Sequence, residues 1–90
     1  MANVQKEHGY TKVANSILDA LCHIRIPGEA YQVLNVILRQ TYGYNQRSAM
    51  ITLDKFAIMT GLKKSNVIRA IKKLVEMNLI IKKDKIYRRA

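Results

Sequence analysis

The sequence predicts a mostly α-helical fold closed by a small β-hairpin, and three observations carry that prediction. Apolar residues recur at helical spacing in four segments between residues 14 and 77. Pro27, Gly43, Gly61 and Asn78 punctuate those segments with helix-start and helix-stop chemistry. Near the end of the chain, Leu79-Ile80-Ile81-Lys82-Lys83 and Ile86-Tyr87-Arg88-Arg89 flank Asp84-Lys85, as two strands flank a tight turn.

Each element follows in order. Residues 1–9 hold almost nothing that can be buried and are expected to form a flexible arm ahead of one domain over residues 10–90. Ala14, Ile17, Leu18, Leu21 and Cys22 fall on one side of a first helix over residues 14–24, with Asn15, Ser16 and Asp19 opposite. Pro27-Gly28-Glu29 starts a second helix, because proline fits a first turn and an acid there complements the helix dipole. That helix runs from Glu29 to Gln40 with a stripe of Ala30, Val33, Leu34, Ile37 and Leu38, and Gly43 supplies the stop. Asn45 to Ser48 reads as a polar loop and Met50-Ile51-Thr52 as a short β-leaning segment.

Thr52 can cap a brief helix from Leu53 to Thr60 that turns Phe56, Ala57 and Met59 inward, and Gly61 ends it. A longer helix from Lys64 to Met77 places Val67, Ile71, Leu74 and Val75 on one side and Ser65, Asn66, Arg69, Lys72, Lys73 and Glu76 on the other. Asn78 is suited to a left-handed stop before the hairpin. A short helix, a glycine-containing turn, an amphipathic basic helix and a hairpin directly after it make a winged helix-turn-helix, here with an extra N-terminal helix.

Composition bounds the function. Ninety residues hold one modest core and leave little room for an enclosed catalytic cleft. The formal net charge is +10, and residues 63–90 carry ten Lys or Arg against Glu76 and Asp84 alone. Such an excess predicts an anionic partner, nucleic acid first and anionic membrane second. The one cysteine, Cys22, cannot form an intrachain disulfide, and its neighbours Leu21 and Ile24 suggest a buried small hydrophobe. Without a signal-like apolar run at the N-terminus or a stretch near the roughly 20 apolar residues of a membrane span, the chain is expected in a reducing cytoplasm.

The chemistry of the basic end assigns roles as expectations. Lys64, Ser65, Asn66 and Arg69 lie in the N-terminal half of the basic helix, where side chains reach base edges; asparagine suits adenine and arginine suits guanine. Lys63, Lys72 and Lys73 on the helix, with Lys82, Lys83, Lys85, Arg88 and Arg89 in the hairpin, are placed for phosphates, which fix register without reading sequence. Tyr42 and Tyr44 offer a stacking surface for bases, but aromatic residues at a helix end more often close a core, and that reading is preferred. His8 and His23 do not pair with Cys22 at a zinc-closing spacing. Asp19, Glu29 and Asp54 read as exposed or helix-start carboxylates. There is no phosphate-cradling glycine loop and no nucleophile beside a base, so neither metal, cofactor nor enzymatic activity is expected.

At these residues the chain resembles a known family, that of the phage lambda replication protein O, in its N-terminal DNA-binding domain. The likeness covers about residues 10–83. It rests on Tyr10-Thr11-Lys12-Val13-Ala14-Asn15 leading into Leu18-Asp19-Ala20-Leu21, on Leu38-Arg39-Gln40-Thr41-Tyr42-Gly43-Tyr44-Asn45, and on Met59-Thr60-Gly61-Leu62 with its following helix. The resemblance implies an initiator that binds repeated double-stranded sites in a phage origin, often as a homodimer, in the cytoplasm of a bacterial host. It also implies that a separate C-terminal region, absent here, hands the origin to a helicase loader. One departure is Lys63, which stands where many relatives place a capping serine or threonine; Ser65 is the alternative cap.

Two rival readings stay open at this point. A winged-helix transcriptional repressor would have the same architecture and bind an operator instead of origin repeats. The basic helix could also serve a protein- or membrane-interaction module.

Overall fold

A computed structural model describes residues 9–90, so the arm expected over residues 1–9 falls, apart from exposed Gly9, outside the described residues. The helices are α1 (Asn15–Cys22), α2 (Gly28–Thr41), α3 (Leu53–Thr60) and α4 (Lys64–Glu76), with a short 3-10 turn over Tyr42–Tyr44. The strands are β1 (Ala49–Met50), β2 (Ile80–Lys83) and β3 (Ile86–Arg89), antiparallel in the order β1-β3-β2. The fold is therefore mostly helical with a small three-stranded sheet.

The sheet enlarges the expected hairpin. Ala49 pairs with Tyr87 and Met50 with Ile86, and the Ile51 amide donates to the Lys85 carbonyl at 2.8 Å, so the segment before α3 becomes an outer strand. Within the hairpin Lys83 pairs with Ile86 across the two-residue turn, and Asp84 takes the left-handed backbone (φ 55°) that the turn requires.

α2 is the centre of the core. Its Ala30, Val33, Leu34, Val36, Ile37 and Leu38 are buried together with Ile51, Phe56, Val67, Ala70, Ile71, Leu74, Ile80 and Tyr87. Phe56 and Tyr87 meet edge to face with ring centroids 5.1 Å apart. Thr41 is buried as well, and its hydroxyl donates to the Ile37 carbonyl at 2.7 Å, which satisfies it without a partner outside the helix.

The turns follow local chemistry. Thr52 caps α3 by accepting from the Lys55 amide at 3.1 Å, and Gly61 ends it at φ 76°, in the left-handed region where a side chain is strained. After α4, Asn78 at φ 59° sends its amide to the Val75 carbonyl while the Leu79 amide reaches Leu74, the paired closure of a Schellman stop.

Several expectations are corrected. Cys22 is exposed rather than buried, because α1 contributes no fully buried residue; Ile17 and Leu21 are half-buried on its inner side, and Leu18 faces outward. Gly43 does not stop α2. The helix tightens into the 3-10 turn, and Asn45 at φ 55° takes the left-handed position. Met59 is exposed and Ala57 only half-buried, so Phe56 is the one fully buried residue of α3, with Leu53 packed against the core beside it. On α4 the inner face is Val67, Ala70, Ile71 and Leu74; Val75 sits at its margin, 42% exposed. Neither Lys63 nor Ser65 caps α4, whose N-terminus has no side-chain cap.

Candidate nucleic-acid interface

Three residues separate α3 from α4, and Gly61 makes that reversal possible without a Cβ in the left-handed region. The turn is tied on both sides. Thr60 donates to the Phe56 carbonyl at 2.7 Å and accepts from the Leu62 amide at 3.1 Å, while the Lys64 ammonium pairs with the Asp54 carboxylate across the two helices. Both ends of that ion pair are more than half exposed, so it orients Lys64 and adds little stability.

The four residues that bury α4 leave the opposite side to solvent. Ser65, Arg69, Lys72 and Glu76 follow one another at spacings of four, three and four residues and are all exposed, the signature of one continuous ridge. Asn66 and Lys73 flank the ridge on one side. Asn66 is half-buried, and its Oδ1 accepts from Arg69 Nη2 at 2.5 Å. Arg69 Nη2 also lies 3.8 Å from the Glu29 carboxylate at the start of α2, so a cation and an amide expected to read bases are held by each other in the free chain.

The other flank faces the hairpin. A groove of about 590 Å³ separates the two, with Ile68, Lys72, Val75 and Glu76 on the α4 side and Lys82, Asp84 and Lys85 on the hairpin side. Its floor is apolar, formed by Ile51, Leu53, Ile71 and Tyr87. Burial raises the Tyr87 hydroxyl above the usual tyrosine value, so it stays neutral at ordinary pH. The fold thus brings Lys72 of the helix beside Lys82 and Lys85 of the hairpin.

The remaining hairpin cations separate according to the alternation of a strand. Tyr87 points to the core, so Arg88 points away from it, on the outer sheet face opposite Ile81 and near Lys83. Arg89 returns to the inner side. Its Nε donates to the Tyr42 hydroxyl at 2.8 Å and its Nη1 to the Ala90 carbonyl at 2.7 Å, and it lines a cavity with α1 and α2 rather than with α4. Of the residues expected at the interface, Lys72, Lys82 and Lys85 therefore line the groove, Lys83 and Arg88 lie on the outer sheet face, and Arg89 is turned toward α1 and α2.

Tyr42 is half-buried against the core, as a core-closing aromatic is, whereas Tyr44 is exposed with the Arg39 guanidinium 5.3 Å above its ring. Sequence reasoning passed over Ile68. Its position between Lys64 and Lys72 at four-residue spacing, outside the buried stripe, was the available signal.

Among the described residues no helix is long and apolar enough to cross a membrane, and no group of three or more His, Cys, Asp or Glu side chains could hold a metal ion. Fold and charge together define a small, strongly cationic module whose basic helix and basic hairpin share a groove. The chain belongs to the bacteriophage replication protein O family, whose model matches residues 2–90, and this ties it to phage DNA replication. It is 36% identical over 73 residues to replication protein 15 of Enterobacteria phage phi80, covering 81% of this chain and 24% of that protein. It is 28% identical over 74 residues to DNA replication protein gp18 of Salmonella phage P22 (82% of this chain, 27% of that protein). Replication protein O of Escherichia phage lambda is 32% identical over 74 residues, with 82% and 22% covered. The chain spans about a quarter of the length of these relatives. No solved structure matches it.

Proposed function

We propose that this chain is a winged helix-turn-helix module that binds specific double-stranded sites, repeated in a phage replication origin, at the start of DNA replication. The observation that carries this reading is the exposed ridge Ser65-Arg69-Lys72 on α4, beginning just after the glycine turn, with Lys72 sharing a groove with Lys82 and Lys85 of the hairpin. A helix diameter of about 10–12 Å matches the major groove of B-form DNA, and the hairpin beside it reaches the adjacent backbone.

In this reading α4 is the recognition helix. Lys64, Ser65, Asn66 and Arg69 meet base edges, and Lys63, Lys72, Lys73, Lys82, Lys83, Lys85 and Arg88 meet phosphates. Arg89, tied to Tyr42, supports the hairpin from behind instead of touching DNA. Pairing of two copies on repeated sites and delivery of the origin to a helicase loader belong to the same proposal. A replication role is favoured over an operator-binding one because the relatives named above are replication proteins.

The test is selection from a random duplex library at near-physiological salt, with an Asn66→Ala, Arg69→Ala double variant in parallel. Enrichment of one motif by the parent and its loss in the variant supports base reading by α4. Repeats of that motif inside a phage origin support initiation, and occurrence only at promoters supports the repressor. Binding without any motif, unaltered in the variant, overturns the sequence-specific reading.

A further inference from the structure

Ile68 is 45% exposed on the flank of α4 that faces the hairpin, at the edge of the Ser65-Arg69-Lys72 ridge. It precedes Arg69 and is one helical turn from both Lys64 and Lys72, so cations flank it along the helix, and Lys72 lines the same groove. It borders the groove floored by Ile51, Leu53, Ile71 and Tyr87, yet it is not among the buried residues of α4 and keeps its methyl groups open to the groove. Isoleucine is also stiff at χ1 in a helix, so the methyl groups it presents are fixed in direction.

We infer that Ile68 is a specificity-determining residue that packs on the C5-methyl group of a thymine in the major groove. This rests on the DNA-binding reading above. The thymine methyl is the one apolar group on the major-groove edges of the four bases, and an aliphatic side chain held rigidly beside Ser65 and Arg69 is its chemical complement. Phosphates would select lysine or arginine at this position, and guanine or adenine edges a hydrogen-bonding side chain. Neither choice is made at position 68, while both are made around it. Ile68 therefore adds a thymine preference at one base step on the hairpin side of the ridge, next to the bases met by Ser65 and Arg69.

The experiment replaces each thymine of the selected duplex, one at a time, by deoxyuracil, which lacks only the methyl group. The parent chain, Ile68→Val and Ile68→Ala are titrated against each duplex. At one position the parent is expected to lose about fourfold in affinity, the transfer free energy of one buried methyl group. Ile68→Val keeps part of that penalty, and Ile68→Ala binds the two duplexes equally. Helical circular dichroism of each variant confirms that it is folded; if Ile68→Ala unfolds, the Ile68→Val arm decides. A deoxyuracil penalty of equal size in all folded variants, or none at any position in the parent, overturns the assignment while leaving DNA binding intact. A library selection that yields no motif overturns it together with the reading on which it rests.

Discussion

Arg69 Nη2 donates to Asn66 Oδ1 at 2.5 Å, one helical turn back along α4, and the same nitrogen stands 3.8 Å from the Glu29 carboxylate of α2. A side chain proposed to meet guanine is thus held at the surface of the free molecule by an amide and an acid. Binding to a base edge has to exchange those partners for the new ones, and the Glu29 charge also repels phosphate.

Replacing Glu29 by glutamine removes the charge and keeps the helix-start polarity. Affinity for duplex DNA is expected to rise by a factor of about 2–5, the order of a weak exposed ion pair. Thermal stability should hardly move, since Arg69 is 72% and Glu29 44% exposed. Fluorescence anisotropy at two salt concentrations measures the gain, which should shrink at the higher salt; weaker binding by the variant would contradict the restraint.

The Phe56–Tyr87 contact joins α3 to β3 and is the aromatic anchor of the core. Phe56 is fully buried, so Phe56→Ala is expected to cost about 3–5 kcal/mol in urea unfolding, a large fraction of a small domain's stability. A cost below about 1 kcal/mol would mean that the pocket collapses around the alanine.

Tyr87 gives a pH signature. Its hydroxyl is raised by burial, so the folded chain holds this proton more tightly than the unfolded chain does. The resulting stability is complete below the unfolded value of about 10 and is lost as pH rises through the folded value. Tyr87→Phe keeps the ring contact with Phe56 and removes the proton. Urea midpoints followed from pH about 9 to about 11 should therefore fall more steeply for the parent than for the variant. Parallel curves would show that Tyr87 ionises as easily folded as unfolded.

Gly61 tests the turn between α3 and α4. An added Cβ would meet no atom within 4 Å, so the cost of Gly61→Ala comes from its φ of 76° alone. The expectation is a loss of about 1–2 kcal/mol by thermal unfolding, with Gly61→Asn losing less because asparagine tolerates the left-handed region. Equal losses would point to a steric cause instead.

What was legible in the sequence is what local chemistry decides. Thr52, Gly61, Asn78 and Asp84 each act on their own few residues, and the bounds of α3 and of the hairpin follow from them. Periodicity names the residues that share a face but does not say whether another element covers that face. For that reason Cys22, Met59 and Val75 were assigned to the interior and are found at the surface. The Ala49–Met50 strand was faint because its partner lies more than thirty residues away, and no short window holds both. The separation of Arg88 from Arg89 was readable in principle: once Tyr87 is taken as inward, strand alternation sends Arg88 out and Arg89 back.

That alternation yields the sharpest test of the interface. If Arg88 meets a phosphate, Arg88→Ala weakens binding to all duplexes alike and flattens the slope of log affinity against log salt by about 1, because one fewer counterion is released. The parent slope itself should be near −5 for about six neutralised phosphates. Arg89→Ala should leave the slope unchanged. Its guanidinium is spent on the Tyr42 hydroxyl and the Ala90 carbonyl, so the variant is expected to lose about 1 kcal/mol of stability and no electrostatic reach. Two adjacent arginines on one strand would then differ in kind, one acting on DNA and the other on the fold. Equal flattening by both variants would instead require the hairpin to twist on binding, freeing Arg89 from Tyr42 to join the phosphate contacts.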